Sequence, residues 1–246
     1  MLSLPLYFIS DNHFKMEIDQ PEKNRRGKLY HVFEKIKTTG GTLVIGGDFF
    51  DFWFDYQFVL PNGYVDLLEA LAKLNQSGIK IHFVLGNHDY WDFGYFKAKF
   101  GATVYTGDMD FTIKGKKIKV THGDGLLLND RSYRFMRKVI RSRFCIFLFK
   151  NFHPDWGCGL ARRVSRASGE YHHHDKHNEM IRSELIQYAR NQWSKEVDTV
   201  LIGHYHQLGV EEDKGKSLIF MGDWLRHFSV TRLDDSGWWQ GSWDEL

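Results

Sequence analysis

Hydrophobic positions follow two different periods in the first third of the chain. Short, solid apolar runs alternate with segments in which apolar residues recur every three or four positions. The runs Leu4–Ser10, Thr42–Gly46 and Ile79–Leu85 have the length and β-type content of buried strands. Residues 21–37 place Leu29, Val32, Phe33 and Ile36 on one helical face. Residues 61–77 do the same with Val65, Leu68, Leu71, Ala72 and Leu74, and Gly78 is their stop signal. A strand–helix–strand–helix–strand opening predicts a largely parallel sheet covered by helices.

The pattern then turns more β-like. Thr103–Tyr105, Phe111–Ile113 and Lys117–Thr121 read as short strands, the last two joined by a turn around Gly115. Residues 131–150 read as one helix with Phe135, Met136, Val139, Ile140, Phe144, Phe147 and Leu148 on a broad apolar face. A further helix is predicted over 174–194 and a strand over Val197–Ile202. The tail alternates, so Gln207–Glu211, Ser217–Met221, Phe228–Leu233 and Trp238–Gln240 are expected to be antiparallel strands. There is no internal repeat and no Pro/Ser-rich linker. The 246 residues are therefore read as one α/β domain, 1–246, interrupted by a helical insertion at about 129–176.

Charge sharpens the view of that insertion. Residues 129–166 hold ten Lys/Arg against two acids, a net of +8 in a chain whose total is only +2. Such asymmetry points to an anionic partner, lipid or nucleic acid. Two cysteines, Cys145 and Cys158, cannot build a disulfide framework and are expected to be reduced. The N-terminus lacks a basic region before its apolar run and reads as a first strand rather than a signal peptide. The apolar stretch FCIFLF, 144–149, is too short to cross a bilayer.

The chemistry is carried by five short motifs: SDNH at 10–13, GGD at 46–48, GNHD at 86–89, THGD at 121–124 and GHYH at 203–206. Each follows the C-terminal end of a predicted strand, the edge at which open α/β sheets bind ligands. They deliver Asp11, His13, Asp48, Asn87, His88, His122, His204 and His206 to one crevice. Mixed His and Asp donors suit Mn²⁺, Fe²⁺ or Zn²⁺ better than Ca²⁺, and the lack of a Cys donor points away from structural zinc. So many donors exceed the needs of one ion and suit two ions sharing a carboxylate, an arrangement that clamps a phosphoryl group for in-line displacement. Each motif alone has an ordinary reading, as a helix cap, a turn or an exposed strand. All five in this order at strand ends do not share one. His172–His174 reads as a polar helix start or loop.

In this order and spacing the motifs resemble the calcineurin-like metallophosphoesterases, over residues 11–206. Within them the chain is most similar to the UDP-2,3-diacylglucosamine diphosphatases of lipid A biosynthesis. The FISD start, GDFFDFWF, the stretch HGDGLLLNDRSYRFMRK, the basic apolar insertion before GHYHQ and GDW at 222–224 carry the likeness. The resemblance implies an α+β sandwich, with two central mixed β-sheets flanked by helices. It implies one ion on Asp11, His13, Asp48 and His206, and another on Asp48, Asn87, His122 and His204, with Asp48 bridging and manganese the usual metal. Attack at the α-phosphorus would then give UMP and 2,3-diacylglucosamine 1-phosphate.

Asn87 falls where the general family contacts phosphate. His88 falls where that family stabilises or protonates the leaving oxygen, with Asp89 orienting it; the lipid A diphosphatases often carry Arg at this position, and either cation can neutralise developing charge. Asp130 and Tyr133 match a segment expected to contact the glucosamine head group, with Arg137, Ser168, Lys176 and His204 as further substrate contacts. The expected setting is cytoplasmic and peripheral, on the anionic cytoplasmic face of the inner membrane. The insertion could lie in the membrane interface or line a groove for acyl chains; the alternative is a core-packing helix with a solvated basic face. A nuclease gripping DNA phosphates is disfavoured by the apolar face, and no nucleic acid partner is expected. A nucleotide phosphodiesterase, a protein phosphatase and a catalytically silent scaffold are the remaining readings; no ligand is missing for the last.

Overall fold

The computed structural model describes residues 2–159 and 175–246. The three N-terminal apolar runs form β1 (Leu6–Ile9), β2 (Thr42–Ile45) and β3 (Lys80–Val84), paired in parallel with Leu6 opposite Thr42 and Thr42 opposite Lys80. Every residue of β1 and β2 is buried. Both faces of this sheet are covered, which is why these strands read as solid runs and not as alternations.

One face is covered by α1 (Gln20–Thr39) and α2 (Val65–Gln76). The Asp19 carboxylate accepts the Glu22 N–H at 2.8 Å and caps α1, and Pro21 stands in its first turn. Leu29, Val32, Phe33 and Ile36 are buried as expected. In α2 the expected stripe is rotated: Val65 is 39% exposed, and Leu67 is buried instead. A 3₁₀ turn over Asn62–Tyr64 precedes α2. Val65 is thus the first residue of α2 and not part of its middle turns.

β4 (Thr103–Tyr105) extends the sheet beyond β3, after a six-residue helix α3 (Tyr95–Phe100) too short for periodicity to reveal. The second sheet begins with the hairpin β5 (Met109–Ile113) and β6 (Lys116–Thr121). The insertion follows as α4 (Arg131–Ile140) and α5 (Arg143–Lys150), and then comes α6 (Asp175–Trp193). The single helix expected over 131–150 is broken at Arg141–Ser142, where the Ser142 hydroxyl accepts the Cys145 N–H at 3.3 Å. This is an N-cap inside a continuous apolar pattern.

The chain returns through β7 (Thr199–Ile202), β8 (Leu208–Asp213) and β9 (Lys216–Met221), giving the order β5-β6-β7-β9-β8. β10 (Ser229–Asp234) and β11 (Gly237–Ser242) then complete the first sheet as β11-β10-β1-β2-β3-β4. The tail is not wholly antiparallel, because β9 runs parallel to β7. Both sheets are mixed, as the resemblance implies.

The sheets pack face to face. Leu6, Phe8, Val44 and Val84 meet Ile118, Val120, Leu201, Ile219 and Met221. Tyr7, Ile9, Leu43 and Ile45 point the other way, into α1 and α2. The outer face of the second sheet is closed by Ile181, Leu185, Ala189 and Trp193 of α6. Full burial of each such aliphatic side chain contributes about 1.5–3 kcal/mol. This packing aligns the C-terminal ends of β1, β2, β3, β6 and β7 at one rim. Among the described residues, no helix is long and apolar enough to cross a membrane.

Candidate metal centre

The loops at that rim are strained and interlocked. Asp11, His13, Asp48, His204 and His206 all adopt left-handed backbone conformations, with φ of 51°, 44°, 53°, 65° and 55°. Each costs a non-glycine residue about 1–3 kcal/mol and persists only where neighbours enforce it. Here the Asp11 N–H donates to the Gly47 carbonyl at 3.0 Å, and the His13 N–H to the Asp48 carbonyl at 2.9 Å. The His204 N–H donates to both Asp11 carboxylate oxygens at 2.9 Å, across 193 positions of sequence. Glycine is required at two points of closest approach. A side chain at Gly86 would strike the Asp48 carboxylate, and one at Gly203 would press on Ser10 and Asp11.

The expected ligands form two adjoining sets, beside a third of His13, Asp51 and His88. Ligand atoms of Asp11, His13 and His206 lie within 4.8 Å of one another, and so do those of Asp48, His122 and His204. Asp48 Oδ2 stands between the sets, 3.7 Å from His13 Nε2 and 3.2 Å from His122 Nε2. Asn87 Oδ1 joins the second set, 3.1 Å from His122 Nε2. His122 Nδ1 donates to the Gly46 carbonyl at 3.0 Å, which turns Nε2 toward the crevice. These residues fit two divalent cations. His13 Nε2 is buried without a hydrogen-bond partner, an arrangement an interior polar atom rarely tolerates.

Electrostatics prepare two of the imidazoles, His13 and His204, for that role. Burial, reinforced by repulsion from His88, holds His13 well below its ordinary value. Burial and His122 bring His204 down to about 3. Both rings are thus neutral donors. Burial opposes charge on His122, but the Asp48 carboxylate outweighs it and raises the ring to about 10. Burial likewise opposes charge on Asp48, and the surrounding imidazoles, His122 and His88 first, hold it well below the usual carboxylate range. Burial pushes Asp11 up.

His88 and Asp89 are not paired in the way the family pattern implies. The His88 N–H donates to Asp48 Oδ1 at 2.8 Å, and its Nδ1 lies 2.5 Å from the Asp51 carbonyl. Asp89 is fully buried and binds backbone: Oδ1 accepts the Gly86 N–H at 2.7 Å and Oδ2 the Phe49 N–H at 2.8 Å. It ties the loop after β3 to the loop after β2. Burial, then the Asp48 charge, push its carboxyl up to about 7, against the pull of those two donors.

The expected substrate contacts divide. Tyr133 lies at the rim, its ring 6.1 Å from that of His204. Its hydroxyl donates to Asp124 Oδ2 at 3.2 Å, and Arg137 Nη1 donates to the same oxygen at 2.9 Å. Asp130 stands half-buried at the start of α4. Lys176 is in the first turn of α6, its side chain outside the described residues, as are Ser168 and His172–His174. Sequence reasoning passed over Asp124 and Arg141, which pair at 3.0 Å. Asp124 belongs to a motif already recognised, but only its position opposite α4 gives it this role.

The described helices of the insertion, α4 and α5, are not core-packing helices. Phe135, Phe144, Phe147 and Trp156 are 62–70% exposed, and neither α4 nor α5 buries a residue completely. Phe149 turns inward, stacking on Trp91 at 5.6 Å and meeting Phe54 at 4.8 Å.

A family model described as calcineurin-like phosphoesterase matches residues 4–208. A Porphyromonas gingivalis protein named UDP-2,3-diacylglucosamine hydrolase is 31% identical over 245 residues, 93% of this chain and 94% of that protein. Proteins of the same name from Neisseria meningitidis serogroup B and Haemophilus influenzae are 28% and 27% identical; the alignments cover 95% and 94% of this chain and 95% of each relative.

Proposed function

The chain belongs to the calcineurin-like phosphoesterases, and from that premise we propose that it acts as a single catalytic domain on UDP-2,3-diacylglucosamine. It hydrolyses the pyrophosphate to UMP and 2,3-diacylglucosamine 1-phosphate, a step of lipid A biosynthesis. One observation carries the reading: the likeness to proteins named UDP-2,3-diacylglucosamine hydrolase runs over 93% of the chain at 31% identity and so reaches through the insertion.

Asp11, His13, Asp48 and His206 would hold one ion and Asp48, Asn87, His122 and His204 the other, with Mn²⁺ the metal best suited and Fe²⁺ or Zn²⁺ alternatives. When bound, the two ions supply positive charge that polarises the phosphoryl group and activates water. The rest falls to the side chains. The Asn87 carboxamide orients a non-bridging oxygen of the α-phosphate. His88 holds a proton on Nδ1, because the Asp51 carbonyl 2.5 Å away can only accept. A doubly protonated ring would offer its Nε2 proton to the oxygen departing with the sugar phosphate. Water adds its oxygen to the α-phosphorus and releases a proton to solvent as the bond from that phosphorus to the departing bridging oxygen breaks. Tyr133 and Arg137 would face the head group from α4, with Asp130, Ser168 and Lys176 on the same insertion.

The exposed Phe144 and Phe147, flanked by Arg143 and Lys150, would seat the protein peripherally on the anionic cytoplasmic face of the inner membrane. The decisive experiment incubates purified protein with UDP-2,3-diacylglucosamine and Mn²⁺. Equal amounts of UMP and lipid phosphate are expected. No UMP, alongside hydrolysis of another phosphodiester, would overturn the substrate and leave the reaction class standing.

A further inference from the structure

The loop after β9 carries a carboxylate that the scheme above does not use. Asp223 is 1% exposed. Its Oδ1 accepts the backbone N–H of Leu225 at 2.8 Å and of Arg226 at 2.6 Å, with that of His227 at 3.3 Å, so the plane of the carboxylate is held. Its Oδ2 faces two imidazoles, His227 Nδ1 at 3.0 Å and His206 Nδ1 at 3.5 Å. The opposite nitrogen of His206, Nε2, lies 3.8 Å from Asp11 Oδ1, and the ring stacks on His13 at 5.2 Å and 12°. The next residue braces the same half of the centre, since the Trp224 N–H donates to the Asp11 carbonyl at 3.1 Å.

An ionised carboxylate only accepts, so the nitrogen facing it carries the proton. With Nδ1 of His206 held as N–H, Nε2 keeps its lone pair and points it toward Asp11 and His13. We propose that Asp223 is the positioning residue for His206, fixing the tautomer and ring plane in which Nε2 can donate to a metal ion. His227 is a second, dispensable claimant on the same oxygen. The inference rests on the two-ion reading of the centre. Capping the turn requires Oδ1 alone; Oδ2 is the atom that reaches the site.

Asp223→Asn separates these roles. The amide oxygen can still cap the turn, while the NH₂ takes the place of Oδ2 and presents protons to His206. The ring must then accept at Nδ1, and the proton moves to Nε2. Mn²⁺ is titrated calorimetrically into the metal-free proteins, and EPR distinguishes an exchange-coupled ion pair from a single ion. We expect two ions on the wild type. On Asp223→Asn one ion keeps its affinity, the other weakens about 10–100-fold, and the circular dichroism spectrum of the metal-free protein is unchanged. Two ions bound to the variant as tightly as to the wild type would overturn the role of Asp223 alone. A wild type that binds fewer than two ions would overturn the two-ion reading instead. Where Asp223→Asn does not fold, His227→Ala decides. Unchanged or tighter binding of both ions supports the proposal, and loss of an ion shows that the carboxylate serves His227 and defeats it.

Discussion

Arg141 Nη2 donates to Asp124 Oδ2 at 3.0 Å while its guanidinium lies 3.8 Å over the ring of Tyr90. Arg141 caps α4 at its C-terminal end, Asp124 follows His122, and Tyr90 follows Asp89. One side chain thus joins the insertion to two of the loops that carry the chemistry. With Tyr133 and Arg137 on the same carboxylate oxygen, Asp124 is the anchor of the insertion.

Asp124→Ala therefore removes the side-chain acceptor shared by Tyr133, Arg137 and Arg141. We expect a loss of about 1–3 kcal/mol in unfolding free energy. Hydrogen exchange should quicken across α4 and α5, and kcat/KM should fall about tenfold or more as groups facing the substrate lose their position. Unchanged exchange in α4 would show that Phe149 anchors the insertion by itself.

Asp48→Asn should reduce turnover about 1000-fold or more while the circular dichroism spectrum survives. The carboxylate stands between both donor sets, so the variant should also fail to bind two equivalents of Mn²⁺. Retained turnover would refute its bridging role.

Asp89 yields a pH dependence in the metal-free protein. Its carboxyl titrates at about 7 when folded against an ordinary 3.8. The folded state therefore holds the proton more tightly, and the stability associated with Asp89 declines as pH rises from about 4 to about 7. Asp89→Asn has no such titration. The margin by which the wild type exceeds it in denaturant midpoint should shrink across that window; a constant margin would show that the carboxyl titrates normally.

Phe144→Ser combined with Phe147→Ser should leave unfolding free energy within about 0.5 kcal/mol, because both rings are already in solvent. Sedimentation with anionic phosphatidylglycerol vesicles should weaken at least about tenfold, since each ring contributes about 1.5–3 kcal/mol on burial in the interface. Equal vesicle binding would remove α5 from the membrane contact.

Chelation tests the centre without mutation. Ligands present at about 100 times their Kd stabilise the folded state by about 2.7 kcal/mol. EDTA should lower the melting temperature by several degrees, and Mn²⁺ should restore it. A melting temperature indifferent to both would argue against a resident metal pair.

The local devices were legible from sequence because each is written in consecutive residues. The solid runs of β1, β2 and β3 record burial on both faces, the face of α1 records a 3.6-residue period, and the motif loops mark strand ends. The break at Arg141–Ser142 was hidden because a single Ser142 hydroxyl interrupts an apolar pattern that continues on both sides. The exposure of Val65 was hidden because the 3₁₀ turn makes it the first residue of α2, a boundary that apolar periodicity does not mark.

What the sequence by itself determined is the family, the parallel half-sheet and which side chains could serve as metal donors. Tertiary structure alone decided how those donors are aimed. His88 is fixed by a backbone carbonyl, which no residue identity reveals. Asp89 binds the N–H of Phe49, 40 positions away, and His204 binds Asp11 across 193. Asp223 reaches His206 only because β9 lies beside β7 in the second sheet. Hydrogen bonds of this kind depend on the position and direction of groups brought together by sheet packing, so they exist only once the two sheets have closed on each other.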